Sequence, residues 1–200
     1  MNAIANPVAP MLPPRTRSGI GRSIPDPYVG ADGDRLFEVV RGVRVEKTMG
    51  LLQNVIAGIL YRALAPYCDR KDLGHAVVET TFTIPGSGND RKPDVAFVSY
   101  QTWAKDRPIP DLNAWPVAPD LVVEVISHSD KAFDVLGKVH EYFAGGVQQV
   151  WQIYSNLGQV WVFDSPGSIR IYTKSDELIG DPLIPGFRIL TADLFPLVES

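Results

Sequence analysis

Three side chains in this sequence have the types and spacing for hydrolytic chemistry: Asp94, Glu124 and Lys138. Glu124 is the only polar member of Leu121-Val122-Val123-Glu124-Val125-Ile126, a run that reads as a strand buried on both faces. A carboxylate in such a strand is costly unless something positive meets it. Asp94 follows Arg91-Lys92-Pro93 and opens a second apolar run, Val95-Ala96-Phe97-Val98. Strand parity puts Asp94, Ala96 and Val98 on one face of the first run. It puts Val122, Glu124 and Ile126 on one face of the second. If the two strands are neighbours, Asp94 and Glu124 converge. Two close carboxylates repel unless a proton or a divalent cation sits between them. Hard oxygen ligands suit Mg²⁺ or Mn²⁺, which keep several waters and bridge phosphate oxygens. Lys138, on the next element, would position or activate the attacking water, or steady charge on a phosphate. The spacing also allows an inert reading: Asp94 merely opens a strand after a Pro turn, and Glu124 pairs with Lys138 as a buried structural bridge.

These groups depend on the elements that carry them. Residues 1–28 hold six of the seventeen prolines together with Arg15, Arg17 and Arg22, a composition that reads as a tail. Leu36 to Val40 and Val43 to Glu46 flank Arg41-Gly42 as a hairpin with a tight turn. Thr48 is placed to cap a helix whose Leu51, Leu52, Val55, Ile56, Ile59, Leu60 and Leu64 recur at helical spacing, and Pro66 is expected to end it. Gly74 to Ile84 reads as one strand with an apolar face of Val78, Phe82 and Ile84, followed by a turn over residues 85–90. A loop over residues 101–118 leads to the Glu124 strand. The turn Ser127-His128-Ser129-Asp130 then opens a helix with an apolar stripe of Val135, Leu136, Val139, Tyr142 and Phe143. Lys138 lies about 40° from Tyr142 around that helix, at the stripe's edge. Three strands follow, Gln149 to Tyr154, Gln159 to Phe163 and Ser168 to Thr173. The order predicts an α/β (α+β) protein with a mixed sheet, with residues 29–200 as a single domain.

The totals bound the function. The 200 residues are 45% hydrophobic, enough for a sizeable core, and the formal net charge is −4. A protein that grips nucleic acid by bulk electrostatics is basic, so any nucleic-acid contact here calls for a local patch or a metal. The single cysteine, Cys68, excludes an internal disulfide and fits a cytoplasmic setting. No apolar run is long enough for a membrane helix, and the start of the sequence lacks a signal-type apolar core.

Supporting candidates are fewer. Glu46 ends a strand and could complete a metal shell or be a solvated strand end. Ser127 could orient Glu124 or belong to the start of the following helix. Tyr142 is one helical turn from Lys138, as core residue or as partner of the site. Arg91 and Lys92 could touch a phosphate backbone or sit in a solvated turn. His75 and His140 lack companions at zinc spacing, and His128 is a lone turn residue. Trp103 and Trp115 lie in the long loop, where packing and base stacking are both open.

The blocks LFEVVRGVRVE (36–46), RKPDVAFV (91–98), APDLVVEVISHS (118–129), KVHEYFAGGVQQVW (138–151) and LIPGF (183–187), in this order and spacing, resemble the Uma-two family of the PD-(D/E)XK nuclease superfamily. The resemblance runs from residue 35 to 197. It implies a restriction-endonuclease-like mixed central sheet flanked by helices, a divalent metal, Mg²⁺ or Mn²⁺, and an endonuclease acting on nucleic acid, in the first instance DNA. Many nucleases act as symmetric pairs, so a homodimer is also expected. On this resemblance Asp94 matches the first acid of the motif and Glu124 the second, both as metal ligands. The lysine usually found two residues after the second acid is replaced by Ile126, and Lys138 stands in from the following helix. Gln53 stands where the family commonly has His, and Tyr154 where it commonly has Asp. Those two departures keep a second expectation open: a nuclease fold that binds or regulates without cutting.

Overall fold

The computed structural model describes residues 37–47 and 49–197. The expected tail over residues 1–28 and the expected cap Thr48 lie outside the described residues. Among the described residues, twelve strands and two α-helices follow in the order β1 (Phe37–Val40), β2 (Val43–Glu46), α1 (Leu51–Lys71), β3 (Gly74–Val78), β4 (Phe82–Ile84), β5 (Asn89–Arg91), β6 (Val95–Ser99), β7 (Leu121–Ile126), α2 (Ala132–Ala144), β8 (Gln149–Tyr154), β9 (Gln159–Ser165), β10 (Ser168–Thr173), β11 (Glu177–Ile179) and β12 (Arg188–Leu190), with a 3₁₀ turn at Thr191–Leu194.

A six-stranded sheet in the order β10-β9-β8-β7-β6-β3 forms the centre. Its strands pair antiparallel except β7 and β8, which run parallel and are joined by α2. A parallel pair needs such a crossover, whereas antiparallel neighbours can be joined by a tight turn, as β8–β9 and β9–β10 are. A four-stranded sheet, β2-β1-β5-β4, sits beside it, and β11 pairs with β12. The mixed sheet with flanking helices is the expected architecture.

Strand parity divides the core. Val95, Phe97, Leu121 and Val123 face α1, where Ile56, Leu60, Leu64 and Cys68 cover them. Ala96, Val98, Val122 and Val150 face the other way, against Val139 and Tyr142 of α2, β4 and the long loop. That loop is pinned by two buried indoles, Trp103 and Trp115, edge to face at 5.3 Å. Both are packing residues here, which removes the stacking role held open for them. The hairpin has its expected turn: Val40 pairs with Val43, and Arg41 and Gly42 both have positive φ, as a two-residue turn of this kind requires.

Several local expectations are overturned. α1 does not stop at Pro66 but runs through it to Lys71, because Leu64 and Cys68 on either side are both fully buried and packing outweighs one missing N–H. Its N-cap is Gly50, with no side-chain cap. Gly74 to Ile84 is not one strand. The chain breaks at Glu79, whose φ is 46°, so β3 joins the central sheet and β4 the small one. Val78 is consequently 41% exposed and not on a shared apolar face with Phe82 and Ile84. Residues 89–91, read as turn and lead-in, form β5. Leu136 projects outward from α2, whose buried stripe is Val135, Val139 and Tyr142.

Candidate active site

Asp94 immediately precedes β6, and its N–H donates to the Val123 carbonyl at 3.1 Å. The antiparallel register Val95↔Val123 continues to place Asp94 opposite Glu124. Both carboxylates are buried. Before β6 begins, the Asp94 side chain substitutes for a backbone acceptor: its Oδ2 takes the Val125 N–H at 2.6 Å. The two acids that parity brought together are thus side by side at one end of the sheet.

Lys138 reaches them from α2. Its Nζ lies 3.1 Å from Glu38 Oε1 and 3.6 Å from Glu124 Oε1. Tyr142, one turn further along the same helix, donates its hydroxyl to Glu124 Oε1 at 2.7 Å. Gln152 is the register partner of Glu124 on the parallel strand β8, and its Oε1 accepts the Tyr154 hydroxyl at 2.8 Å. Glu38, Asp94, Glu124, Lys138 and Gln152 line a cleft of about 700 Å³, together with Glu46, Gln53, Ser127 and Phe133.

A second lysine completes the site. Lys47, just after β2, donates to Asp94 Oδ1 and to the Lys92 carbonyl, the latter at 2.6 Å. It also lies 3.7 Å from Glu79 Oε1. Burial alone would lower its pKa, but Glu124, Asp94 and Glu79 together hold it above the usual lysine range. Burial likewise opposes the charge on Lys138, and Glu124 and Glu38 outweigh it, raising that pKa too. Burial and the neighbouring Glu124 push Asp94 up to about 6, against the pull of Lys47.

The supporting candidates separate. Tyr142 touches Glu124 directly. Ser127 spends its hydroxyl and its N–H on Asp130 Oδ2, both at 2.7 Å, and so braces its own turn while lining the cleft. Glu46 lies at the rim. Arg91 is buried between Glu38 Oε2 at 2.8 Å and Glu141 Oε2 at 2.5 Å, a position that joins the small sheet to α2 and leaves little of the guanidinium for a phosphate. The Lys92 ammonium donates to the Glu79 carbonyl at 2.9 Å.

Sequence reasoning missed Lys47, Glu38, Glu79, Glu141 and Gln152. Glu38 carried the signature that revealed Glu124, a lone acid in an apolar strand, and Gln152 sits in the similarly buried QVWQIY run. Lys47 and Glu79 lie outside regular elements and gave no such signal.

The donor set suits a hard cation. Asp94 and Glu124 offer anionic oxygens, and both Glu79 carboxylate oxygens are buried with no hydrogen-bond partner. Five carboxylates (Glu38, Glu79, Asp94, Glu124 and Glu141) meet four cations (Lys47, Arg91, Lys92 and Lys138), leaving the cluster negative. Among the described residues no group of three or more His, Cys, Asp or Glu is arranged to hold a metal by itself. Two carboxylates completed by water are an ordinary shell for Mg²⁺, so the residues present fit it.

A family model, Uma2, described as "putative restriction endonuclease", matches residues 29–193. Among solved structures, one from Anabaena variabilis, titled as a putative nuclease belonging to DUF820, is similar over 80% of this chain and 89% of its own. The TM-score is 0.69 and the sequence identity 16%, a likeness of fold. No curated protein matches the sequence. No helix among the described residues is long and apolar enough to cross a membrane.

Proposed function

The chain belongs to the Uma2 family of restriction-endonuclease-like proteins, and from that premise we propose that it is a divalent-metal-dependent endonuclease that hydrolyses phosphodiester bonds of DNA. The observation that carries the proposal is the pairing of Asp94 and Glu124 across β6 and β7 at the floor of a cleft, with Lys138 beside Glu124. Asp94 and Glu124 would hold Mg²⁺ or Mn²⁺. When bound, such an ion polarises the phosphoryl oxygens and favours hydroxide at neutral pH. Lys138 is the charged assistant. From the edge of the helix it can orient the incoming water and offset charge on the phosphate oxygens. Tyr142 fixes the rotamer of Glu124 through its hydroxyl, and Glu38 fixes the position of Lys138. Glu46 and Ser127, at the rim, are placed to meet substrate or its waters. Arg91 acts by holding the Glu38 and Glu141 carboxylates in place, and Lys92 by holding the Glu79 backbone carbonyl. With a net charge of −4 and Arg91 and Lys92 engaged within the protein, affinity for DNA rests on Lys138 and on the metal, so it is weak and salt-sensitive. A symmetric pair of chains in the cytoplasm belongs to the same proposal, and mass measurement in solution tests the pairing.

Supercoiled plasmid incubated with the protein and Mg²⁺ or Mn²⁺ should be nicked or linearised, and EDTA should stop the reaction. Asp94→Asn and Glu124→Gln should each slow cleavage by about 100-fold or more. Cleavage that persists in both variants would sink the assignment. The alternative, a binding or regulatory module, draws on one observation: both Asp94 oxygens are already engaged, by Lys47 and by the Val125 N–H. Retained duplex binding without cleavage in any divalent cation would favour that reading.

A further inference from the structure

Glu79 is the most unusual acid in this cluster. It is not glycine, yet its φ is 46°, a left-handed conformation that is costly for an L side chain and persists where the surroundings dictate it. Three contacts hold it there. Its N–H donates to the Asp94 carbonyl at 3.3 Å, its own carbonyl receives the Lys92 ammonium at 2.9 Å, and Thr80 donates to the Val78 carbonyl at 3.1 Å. The side chain so presented has both carboxylate oxygens buried and without a hydrogen-bond partner. A buried acceptor left unused is rare and costly. The cation that faces it is Lys47, 3.7 Å from Oε1, and Lys47 is hydrogen-bonded to Asp94 instead.

We propose that Lys47 is an exchangeable cation with two seats, Asp94 and Glu79, and that it passes to Glu79 when a divalent cation takes Asp94 and Glu124. This rests on the metal-dependent reading above. Lys47 and a divalent cation on the same Asp94 oxygen would put like charges in contact at low dielectric. Glu79 lets the lysine withdraw without leaving its charge unpaired or exposing it to water. The distance is short: Nζ needs to move by about 1 Å to make an ordinary hydrogen bond with Oε1, within the reach of a flexible lysine stem. The Lys92 carbonyl, 2.6 Å from Nζ, is a pivot that both seats can share. Lys92 engages the Glu79 carbonyl and not its carboxylate, which keeps that carboxylate available.

The test is a double-mutant cycle on Mn²⁺ affinity, read by paramagnetic resonance of free Mn²⁺ in the full chain, with circular dichroism as the check on folding. Lys47→Gln should tighten Mn²⁺ binding. Glu79→Gln should weaken it about tenfold, because Lys47 then has no second anion to retreat to. In the Lys47→Gln background, Glu79→Gln should have little further effect. Equal weakening in both backgrounds would mean that Glu79 holds the cation directly, and the exchange is overturned. It is overturned equally if Lys47→Gln fails to tighten binding. Asp94→Asn separates the layers. Binding that survives it, or no binding by any form of the protein, removes the metal reading itself. A second readout needs no variant at all: ¹⁵N resonances of lysine ammonium groups in the native protein, titrated with Mg²⁺. The Lys47 signal should shift as Mg²⁺ saturates, and a signal that stays put refutes the exchange.

Discussion

Under α1 the central sheet presents Val95, Phe97, Leu121 and Val123, all fully buried and all apolar. Under α2 the alternate positions of the same two strands pass from Ala96 and Val122 to Asp94 and Glu124. The backbone is shared, so the difference lies wholly in which residues parity sends to each side. One side is held by close packing, which is non-directional and insensitive to charge. The other ends in a network of ions held by directional pairing, Arg91 with Glu38 and Glu141, Lys138 with Glu38, and Lys47 with Asp94. The difference shows what reactivity requires of a fold: the dry face fixes the strands so that the wet end can hold groups that would otherwise repel.

Substitutions at two positions test whether the sides really are held by different means. Arg91→Ala should have the largest effect. It leaves Glu38 and Glu141 facing one another in a buried place without their shared cation, a loss of about 3–5 kcal/mol in denaturant unfolding. Arg91→Met should recover little of it, since both carboxylates keep their charge without the guanidinium, Glu38 left with Lys138 and Glu141 with Asn89. If Arg91→Met is as stable as the native protein, the charged end is held by packing after all, and the contrast fails. Leu60→Ala, on the dry side, should cost about 3 kcal/mol by opening a cavity in a fully buried cluster. That cost should be the same at high and low salt, and Mn²⁺ affinity of the folded protein should be unchanged.

The pH response sharpens the comparison further. Burial and Glu124 raise Asp94 to about 6 from an ordinary value of 3.8. The folded state therefore binds this proton more tightly than the unfolded state does. The contribution of Asp94 to stability is most favourable below the ordinary value, declines as pH rises to about 6, and is a constant penalty above that. Asp94→Asn has no such proton. Its stability relative to the native protein should therefore improve by about 2–3 kcal/mol between about pH 4 and pH 7, in denaturant unfolding without divalent cation. Leu60→Ala should track the native protein across the same range. A flat difference for Asp94→Asn would mean that Lys47 fully neutralises the site.

How much of this could be read in advance depended on whether a residue sat within a periodic element. Glu124 was visible because a lone acid interrupts an apolar strand, and Asp94 because parity put it on the matching face. Arg41-Gly42 marked the hairpin through the turn it requires. Pro66 misled, because a proline is a helix breaker only when packing does not override it. Glu79 was hidden inside an alternation, Val78 to Ile84, that looked continuous, and only its positive φ reveals the break. Lys47 is 47 residues from Asp94 along the chain and follows a strand end, where a lysine ordinarily means nothing. The resemblance to a nuclease family pointed to the same acids and to Lys138. It was silent on Lys47 and Glu79, which geometry alone brings to the site.

The smallest expected effect concerns the point where the two kinds of face meet. Tyr142 is fully buried among the apolar residues of α2, yet its hydroxyl ends on Glu124 Oε1. Tyr142→Phe keeps the ring and removes the hydrogen bond, so unfolding free energy should fall by only about 1 kcal/mol. Glu124 would lose the donor that sets its rotamer, and Lys138, at 3.6 Å, is too far to replace it. Mn²⁺ affinity and cleavage rate should therefore drop about tenfold, out of proportion to the small loss of stability. A variant that loses stability but retains both affinity and rate would assign Tyr142 to the packed side, with its hydroxyl a satisfied polar tip and no more. A variant that loses affinity while folding almost normally would place it on the reactive side, as the one residue of the buried α2 stripe whose job is to aim a ligand.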